Sequence, residues 1–265
     1  MKNIHPTAII EEGAIIEDGV TIEAYAFVSS KSRVGAYSEI KQGARILGGT
    51  TIGERVRIYS YAIIGGDPQD ISFQVGETSR VIIGDDTTVR EFVTINGGSQ
   101  KGDFTTRIGK NCFIMNFCHI AHDCTISDNV ILANSATLAG HVEIGKDTVI
   151  GGLTPVHQFV KIGEGCMIGG ASALSQDVPP FCLAEGNRAY LRGLNLIGLR
   201  RRESKEDIDA LSIAYKALFR SGKPLRQSAE EILNTTASDK VRLLCEFVLN
   251  TKRGINYERA NSEKV

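Results

Sequence analysis

Large branched apolar residues recur at every sixth position through most of this chain. The series begins at Ile4 and continues through Ile10, Ile16, Ile22, Val28, Val34, Ile40, Ile46, Ile52 and Ile58 to Ile64. It returns at Ile83, Val89 and Ile95, then runs unbroken from Ile108 to Leu174. All 26 stops are Ile, Leu or Val, although only 64 of the 265 residues are, so the spacing is a true repeat. A second filter lies four residues after each stop: Ala8, Ala14, Val20, Ala26, Ser32 and Ser38 open a series of only Ala, Ser, Thr, Val, Cys or Pro. Gly often follows the stop directly, as at Gly35, Gly53, Gly84, Gly109, Gly145 and Gly163.

That period fits a three-sided parallel β-helix. Each hexapeptide forms one flat side, with its large branched residue inside the prism and its small residue near a corner. Gly, Asn and Asp suit the turns, because positive φ is a conformation that β-branched residues avoid. Three sides make a coil of 18 residues, and roughly nine coils ~4.8 Å apart would form a prism about 40 Å long. The two breaks, about residues 67–79 and 97–107, must loop out of the prism, and loops on a rigid scaffold often carry function.

After Pro179–Pro180 the six-residue register ends. Ser204-Lys-Glu-Asp207 reads as a helix start, followed by Ile208, Leu211, Ala214, Tyr215 and Leu218 at helical spacing, with Gly222 as a stop. Ser238 caps a second predicted helix through Val241, Leu244, Cys245 and Val248, ending near Gly254. The predicted organisation is mainly β: a β-helix over 1–186 with two extruded loops, then a small α-helical domain over 187–265.

Composition refines this picture. Trp is absent and aromatics are 6%, so the interior must be filled by Ile, Val and Leu. The net charge of −1 hides an asymmetry: from Asn187 onward 16 Lys and Arg face 10 Asp and Glu, whereas the first 186 residues hold 14 against 21. A basic end suits an anionic partner. Without a reading motif or interleaved aromatic platform, nucleic acid is not expected. The start, MKNIHPTAII, lacks an apolar run with a cleavage site, and no stretch approaches the ~20 apolar residues of a membrane span. A cytoplasmic protein with no membrane span is expected.

Two residue types invite chemistry. Cys112, Cys118 and Cys124 are six apart, but each occupies a small inward slot, as does Cys166, and no C-x-x-C pair exists. They read as buried fillers, with neither disulfide nor zinc expected. The histidines differ. His119, His122, His141 and His157 fall within 39 residues, and His122, His141 and His157 follow Ile120, Leu138 and Val156 by two, three and one positions. Those stops are 18 apart, so the imidazoles should project from one strip on adjacent coils. Such a strip suits proton transfer, or the binding of a metal.

The surrounding segments are specific. Cys118–Asp123 (CHIAHD), Leu132–Val142 (LANSATLAGHV), His157–Phe159 (HQF), Gln176–Pro180 (QDVPP), Glu185–Asn187 (EGN) and Asn195–Arg202 (NLIGLRRR) closely resemble the UDP-N-acetylglucosamine O-acyltransferases of lipid A assembly. The likeness runs from the first coil to the final helices. It implies a left-handed winding, and a homotrimer with sites between subunits. It also implies transfer of a 3-hydroxyacyl chain from acyl carrier protein to the 3-position of UDP-N-acetylglucosamine, with no cofactor and no metal. By the same resemblance His122 is the general base, Asp123 its orienting partner and the backbone N–H near Gly140 the oxyanion donor. His119, His141, His157 and Gln158 would shape the sugar and nucleotide site, Asp70 would reach the sugar, and Asn195, Arg201 and Arg202 would hold the uridine diphosphate. Gly170 matches the position where a bulky side chain shortens the acyl groove. The acidic carrier protein fits the basic tail.

The chain departs from the family's pattern where some relatives carry Lys two residues after the loop Asp and it has Ser72. It also has Ile197 where an acidic residue often meets the ribose, and Asn96-Gly97-Gly98 in a less basic second loop. A 3-amino sugar analogue therefore stays open as acceptor. Two other readings remain at this stage: a metal-dependent enzyme such as the carbonic anhydrases with hexapeptide repeats, and a non-catalytic scaffold that binds acyl carrier protein.

Overall fold

A computed structural model describes residues 1–74, 76 and 79–257. Its prism is built from 25 short strands, from Asn3–Ile4 to Met167–Ile168, and each repeat position from Ile4 to Ile168 lies in one. Within a pair such as Thr21–Ile22 the first residue faces out and the second in. From Ile22 to Ile168 every stop is at most 2% exposed. Burying such a side chain fully is worth roughly 1.5–3 kcal/mol, which is why a column of them can replace a conventional core.

Consecutive strands rotate among three parallel sheets. Thr21–Ile22 pairs with Asn3–Ile4 and with Glu39–Ile40, a coil away on either side. The first face holds stops such as Ile58, Val89, Ile114, Leu132, Ile150 and Ile168; the second holds Ile64, Ile95, Ile120, Leu138 and Val156; the third holds Val34, Ile52, Ile83, Ile108, Ile144 and Ile162.

The corners explain the rest of the pattern. The third residue after the stop sits repeatedly at positive φ whatever its type: Tyr25 at 58°, Tyr61 at 60°, Asp123 at 61°, His141 at 59° and Leu153 at 57°. None of the non-glycine residues so placed is Val, Ile or Thr, as the steric argument requires. The six glycines named above as following stops, however, are not there for positive φ. All six come directly after third-face strands, along one edge where successive coils nearly touch. A Cβ on Gly84 would lie 2.7 Å from the carbonyl carbon of Gly109, and one on Gly109 would lie 2.6 Å from the amide of Asp128.

The first extruded segment spans 67–79, between Ile63–Gly66 and Arg80–Ile83. The second is shorter than expected, 97–104, because Thr105–Ile108 already pairs residue for residue with Arg80–Ile83. Asn187 lies in the turn between strands Cys182–Glu185 and Tyr190–Leu194. These form an antiparallel hairpin that extends the first face beyond residue 186.

Four helices follow: α1 (Leu196–Arg202), α2 (Lys205–Phe219), α3 (Leu225–Thr235) and α4 (Asp239–Asn250). Ser204 caps α2 by accepting from the Asp207 amide at 3.1 Å, and Ser238 caps α4 through Val241 at 3.4 Å. Helix α3 was not anticipated, although Pro224 at its N-cap and the spacing of Leu225, Ala229, Ile232 and Leu233 mark it. Asp177, 2% exposed, ties this region to the prism: its carboxylate accepts from the Lys161 amide at 2.8 Å and the Thr251 hydroxyl at 2.6 Å. Among the described residues no helix is long and apolar enough to cross a membrane.

Candidate active site

His119, His122, His141 and His157 all lie on or just after strands of the second face, His119–Ile120, Thr137–Leu138 and Pro155–Val156, which pair in sequence. Register then decides who meets whom. His122, Gly140 and Gln158 occupy equivalent places on successive coils, as do Asp123, His141 and Phe159. The His141 amide accordingly donates to the His122 carbonyl at 3.0 Å, and the Phe159 amide to the Gly140 carbonyl at 3.0 Å. The rings of His122 and His141 meet edge to face at 5.3 Å, and His141 stacks on Phe159 at 4.6 Å. Gly140 lies against the His122 ring, where a Cβ would fall 2.6 Å from Cε1 and 2.7 Å from Nε2.

His122 Nδ1 is 2.8 Å from Asp123 Oδ2. With that carboxylate ionised, Nδ1 carries the proton and Nε2 is left with its lone pair. Asp123 is itself 3% exposed at its side chain. Burial would raise its carboxyl, but hydrogen bonds from His122 and Ser99 together hold it below the ordinary carboxylate value. The His141 Nε2 stands 3.6 Å from the same Oδ2. Burial depresses the pKa of both His119 and His141, so it favours their neutral forms. His119 Nδ1 is 2.7 Å from the Thr94 hydroxyl on the outer surface of the sheet. His157 and Gln158 are exposed, with His157 Nδ1 3.2 Å from the Gln158 carbonyl.

The two extruded loops meet beside this cluster. Asp70 accepts from the Ser72 amide at 2.9 Å and hydroxyl at 2.8 Å, and Lys101 Nζ pairs with it at 2.7 Å. Lys101 first, then Ser72, hold the Asp70 carboxyl far below its usual value. The charges of Asp70 and Lys101 both act on His141, so the pair lies within electrostatic range of that imidazole. Lys101 escaped the sequence reading because only folding brings the second loop onto the first. It supplies a cation to Asp70 where Ser72 cannot.

The Gly140 N–H makes no hydrogen bond among the described residues. Equivalent N–H groups elsewhere hold carboxylates: Ser30 to Glu11 at 2.8 Å, Gln42 to Glu23 at 3.0 Å and Lys110 to Asp128 at 2.7 Å. This turn position is therefore a built-in donor for anionic oxygen.

The remaining candidates lie on other edges. Gly170 follows Ile168 of the first face and is exposed, beside Gly152. The same edge carries Tyr61, Phe92 and Phe117, about half exposed, their rings stacked at 5.5 and 5.4 Å. Asn195 caps α1 through Gly198 at 3.1 Å, and its Nδ2 donates to the Gly165 carbonyl at 3.0 Å. Arg202 Nη1 donates to the Asp147 carbonyl at 3.0 Å, on the edge after a third-face strand. Arg201 is exposed and has no hydrogen-bond or ion-pair partner among the described residues. The chain thus brings together Asp70, His119, His122, Asp123, Gly140, His141, His157 and Gln158, and leaves Gly170, Asn195, Arg201 and Arg202 on two further edges.

All six cysteines are free and buried, and burial pushes the thiols up, to about 12 at Cys124 and about 11 at Cys112 and Cys118. They are too weakly acidic to serve as nucleophiles. His122, Asp123 and His141 offer ligand atoms within 4.8 Å of one another, the one such group among the described residues. Asp123 stands there in place of His157, so the strip is not a triad of imidazoles.

Comparison with known proteins points to one family. A family profile described as UDP N-acetylglucosamine O-acyltransferase, domain 2, matches residues 177–256, and the bacterial transferase hexapeptide profile matches 105–140. The acyl-[acyl-carrier-protein]–UDP-N-acetylglucosamine O-acyltransferase of Campylobacter concisus is 60% identical over 255 residues, covering 96% of this chain and 97% of the relative. The structure of UDP-N-acetylglucosamine acyltransferase from Campylobacter jejuni superposes with a TM-score of 0.94 at 60% identity, covering 97% of this chain and 100% of that one. The enzyme from Moraxella catarrhalis gives 0.92 at 40% identity, covering 95% and 98%.

Proposed function

This chain belongs to the UDP-N-acetylglucosamine O-acyltransferase family, and from that membership we propose how its site works. The protein is an acyltransferase that moves an acyl chain from acyl carrier protein to UDP-N-acetylglucosamine, the first step of lipid A biosynthesis. The observation that carries the mechanism is the His122–Asp123 pair, with Nδ1 held at 2.8 Å and Nε2 free beside Gly140.

His122 Nε2 takes the proton from the sugar 3-hydroxyl as its oxygen attacks the thioester carbonyl. Asp123 fixes the tautomer and balances the imidazolium that forms. The Gly140 N–H donates to the oxyanion of the tetrahedral intermediate. Collapse expels the carrier thiolate, which takes the proton back from the imidazolium, leaving an ester and a free thiol. Asp70, fixed by Lys101, accepts from a sugar hydroxyl; His119, His141, His157 and Gln158 line the acceptor pocket; Asn195, Arg201 and Arg202 face the diphosphate, where guanidinium forks suit phosphate oxygens.

The arrangement on three edges supports a homotrimer in which one subunit's Gly170 edge and α1 complete the imidazole site of a neighbour. The stacked aromatic edge suits burial in that assembly. Six free thiols accord with a reducing compartment, and we place the enzyme in the cytoplasm with its carrier protein.

The test is to incubate the protein with 3-hydroxyacyl carrier-protein thioesters and either UDP-N-acetylglucosamine or its 3-amino analogue, then weigh the products. A mono-acylated nucleotide sugar is expected, with His122→Ala reducing kcat by about 10²–10⁴-fold. No acylated product from either acceptor, or full turnover by His122→Ala, rejects the reading.

A further inference from the structure

The second extruded loop reaches into the catalytic pair. Ser99 donates twice to the Asp123 carboxylate: its amide to Oδ1 at 2.8 Å and its hydroxyl to Oδ2 at 2.6 Å. Oδ2 is the oxygen that His122 Nδ1 meets at 2.8 Å. A single residue therefore grips both oxygens and fixes the plane in which the carboxylate faces the imidazole. The Thr106 hydroxyl accepts from the Asp123 amide at 2.9 Å, and Gly102 packs against Oδ1. The hydroxyl contact has the length of a charge-assisted O–H···O⁻ bond.

Ser99 lies four residues after Ile95, the sequence position of the small slots, and is 1% exposed. A slot hydroxyl ordinarily bonds a backbone carbonyl: Ser38 to Gly53 at 2.9 Å, Thr87 to Gly109 at 2.9 Å, Thr148 to Gly163 at 2.8 Å. Among the described residues at this repeat position, only Ser99 donates to a carboxylate. Its burial suits a small residue. It does not explain why its hydroxyl points at Asp123.

We propose that Ser99 is a positioning residue that holds Asp123 in the orientation from which it aligns the His122 base. The inference rests on His122 being that base. Without the hydroxyl, Asp123 keeps one amide donor and is free to turn out of line with Nδ1. Its charge is also less shared, so it favours the imidazolium more strongly wherever it still meets His122. The other titratable or charged groups are His119 and His141, which face His122 on the same wall, and Asp70 and Lys101 from the loops, which lie in electrostatic range of His141.

The experiment compares Ser99→Ala, Ser99→Cys and Ser99→Thr with the wild type and His122→Ala. Ala, Cys and Thr all occupy the corresponding repeat position elsewhere, at Ala136, Cys118 and Thr148. Ala lacks the donor and Cys offers a weak one. Both should lose roughly tenfold in kcat with either KM changed less than about twofold, and the acid limb of kcat/KM should move to higher pH. Ser99→Thr should recover most of the turnover. Unchanged kcat and pH profile in the Ala and Cys variants would overturn the proposal, as would equal losses in all three that track thermal stability or failure to fold. Should Ala alone not fold, the Cys–Thr pair carries the same comparison. If His122→Ala keeps its turnover, the base assignment itself fails, whatever the Ser99 series does.

Discussion

Position 140 leaves no room for a side chain, because a Cβ would lie 2.7 Å from Nε2 of His122, the proposed base. Gly140→Ala should leave the prism intact and displace the imidazole. A displacement near 1 Å can cost about 10²-fold, so kcat should fall by that order while the melting temperature holds. A variant with wild-type kcat would show that the ring is not confined there. Gly170 is the opposite case: its Cβ would meet only Gly152, at 3.4 Å, an ordinary contact. Gly170→Met should fold normally and shift preference toward shorter acyl donors, which competition between thioesters of different length would reveal; an unchanged ranking would remove Gly170 from the acyl groove. His122 and His141 were legible as neighbours on adjacent coils because coil register follows from counting, whereas Gly140 was singled out only through the family resemblance. Ser99 and Lys101 were not, since counting stops where the chain leaves the prism.

At the scale of elements, the six-residue period located the strands and both departures from them. It misjudged the third-face glycines, whose role appears only when coils are stacked and their backbones nearly touch. Gly84→Ala should therefore cost at least about 1–3 kcal/mol in denaturant unfolding, although Gly84 has no unusual φ to protect. A loss of only a few tenths would mean the edge can relax. The helical region was half readable. Ser204 and Ser238 announced α2 and α4 through their caps, whereas seven-residue α1 is too short to show a period, and α3 was hidden behind its proline.

For the whole molecule, the distribution of candidates over three edges makes an assembly prediction. His122→Ala and Arg202→Ala should each be nearly inactive alone. If sites form between subunits, co-expressed mixed trimers should regain about a quarter of wild-type turnover, since random mixing gives that share of sites two intact partners. A mixture no more active than its parents would place both residues in one subunit's site.

The chain's own residues determined the prism, its corners and the strip of imidazoles, because a hexapeptide repeat is local: each inward Ile needs only the coil above and below it. The winding sense does not follow from periodicity and came through family resemblance. Tertiary structure decided that Asp123, not His157, completes the cluster, that Lys101 answers Asp70, and that Ser99 grips the Asp123 carboxylate. Those contacts join loops to coils tens of residues away, and nothing in a six-residue period encodes where an extruded loop comes to rest.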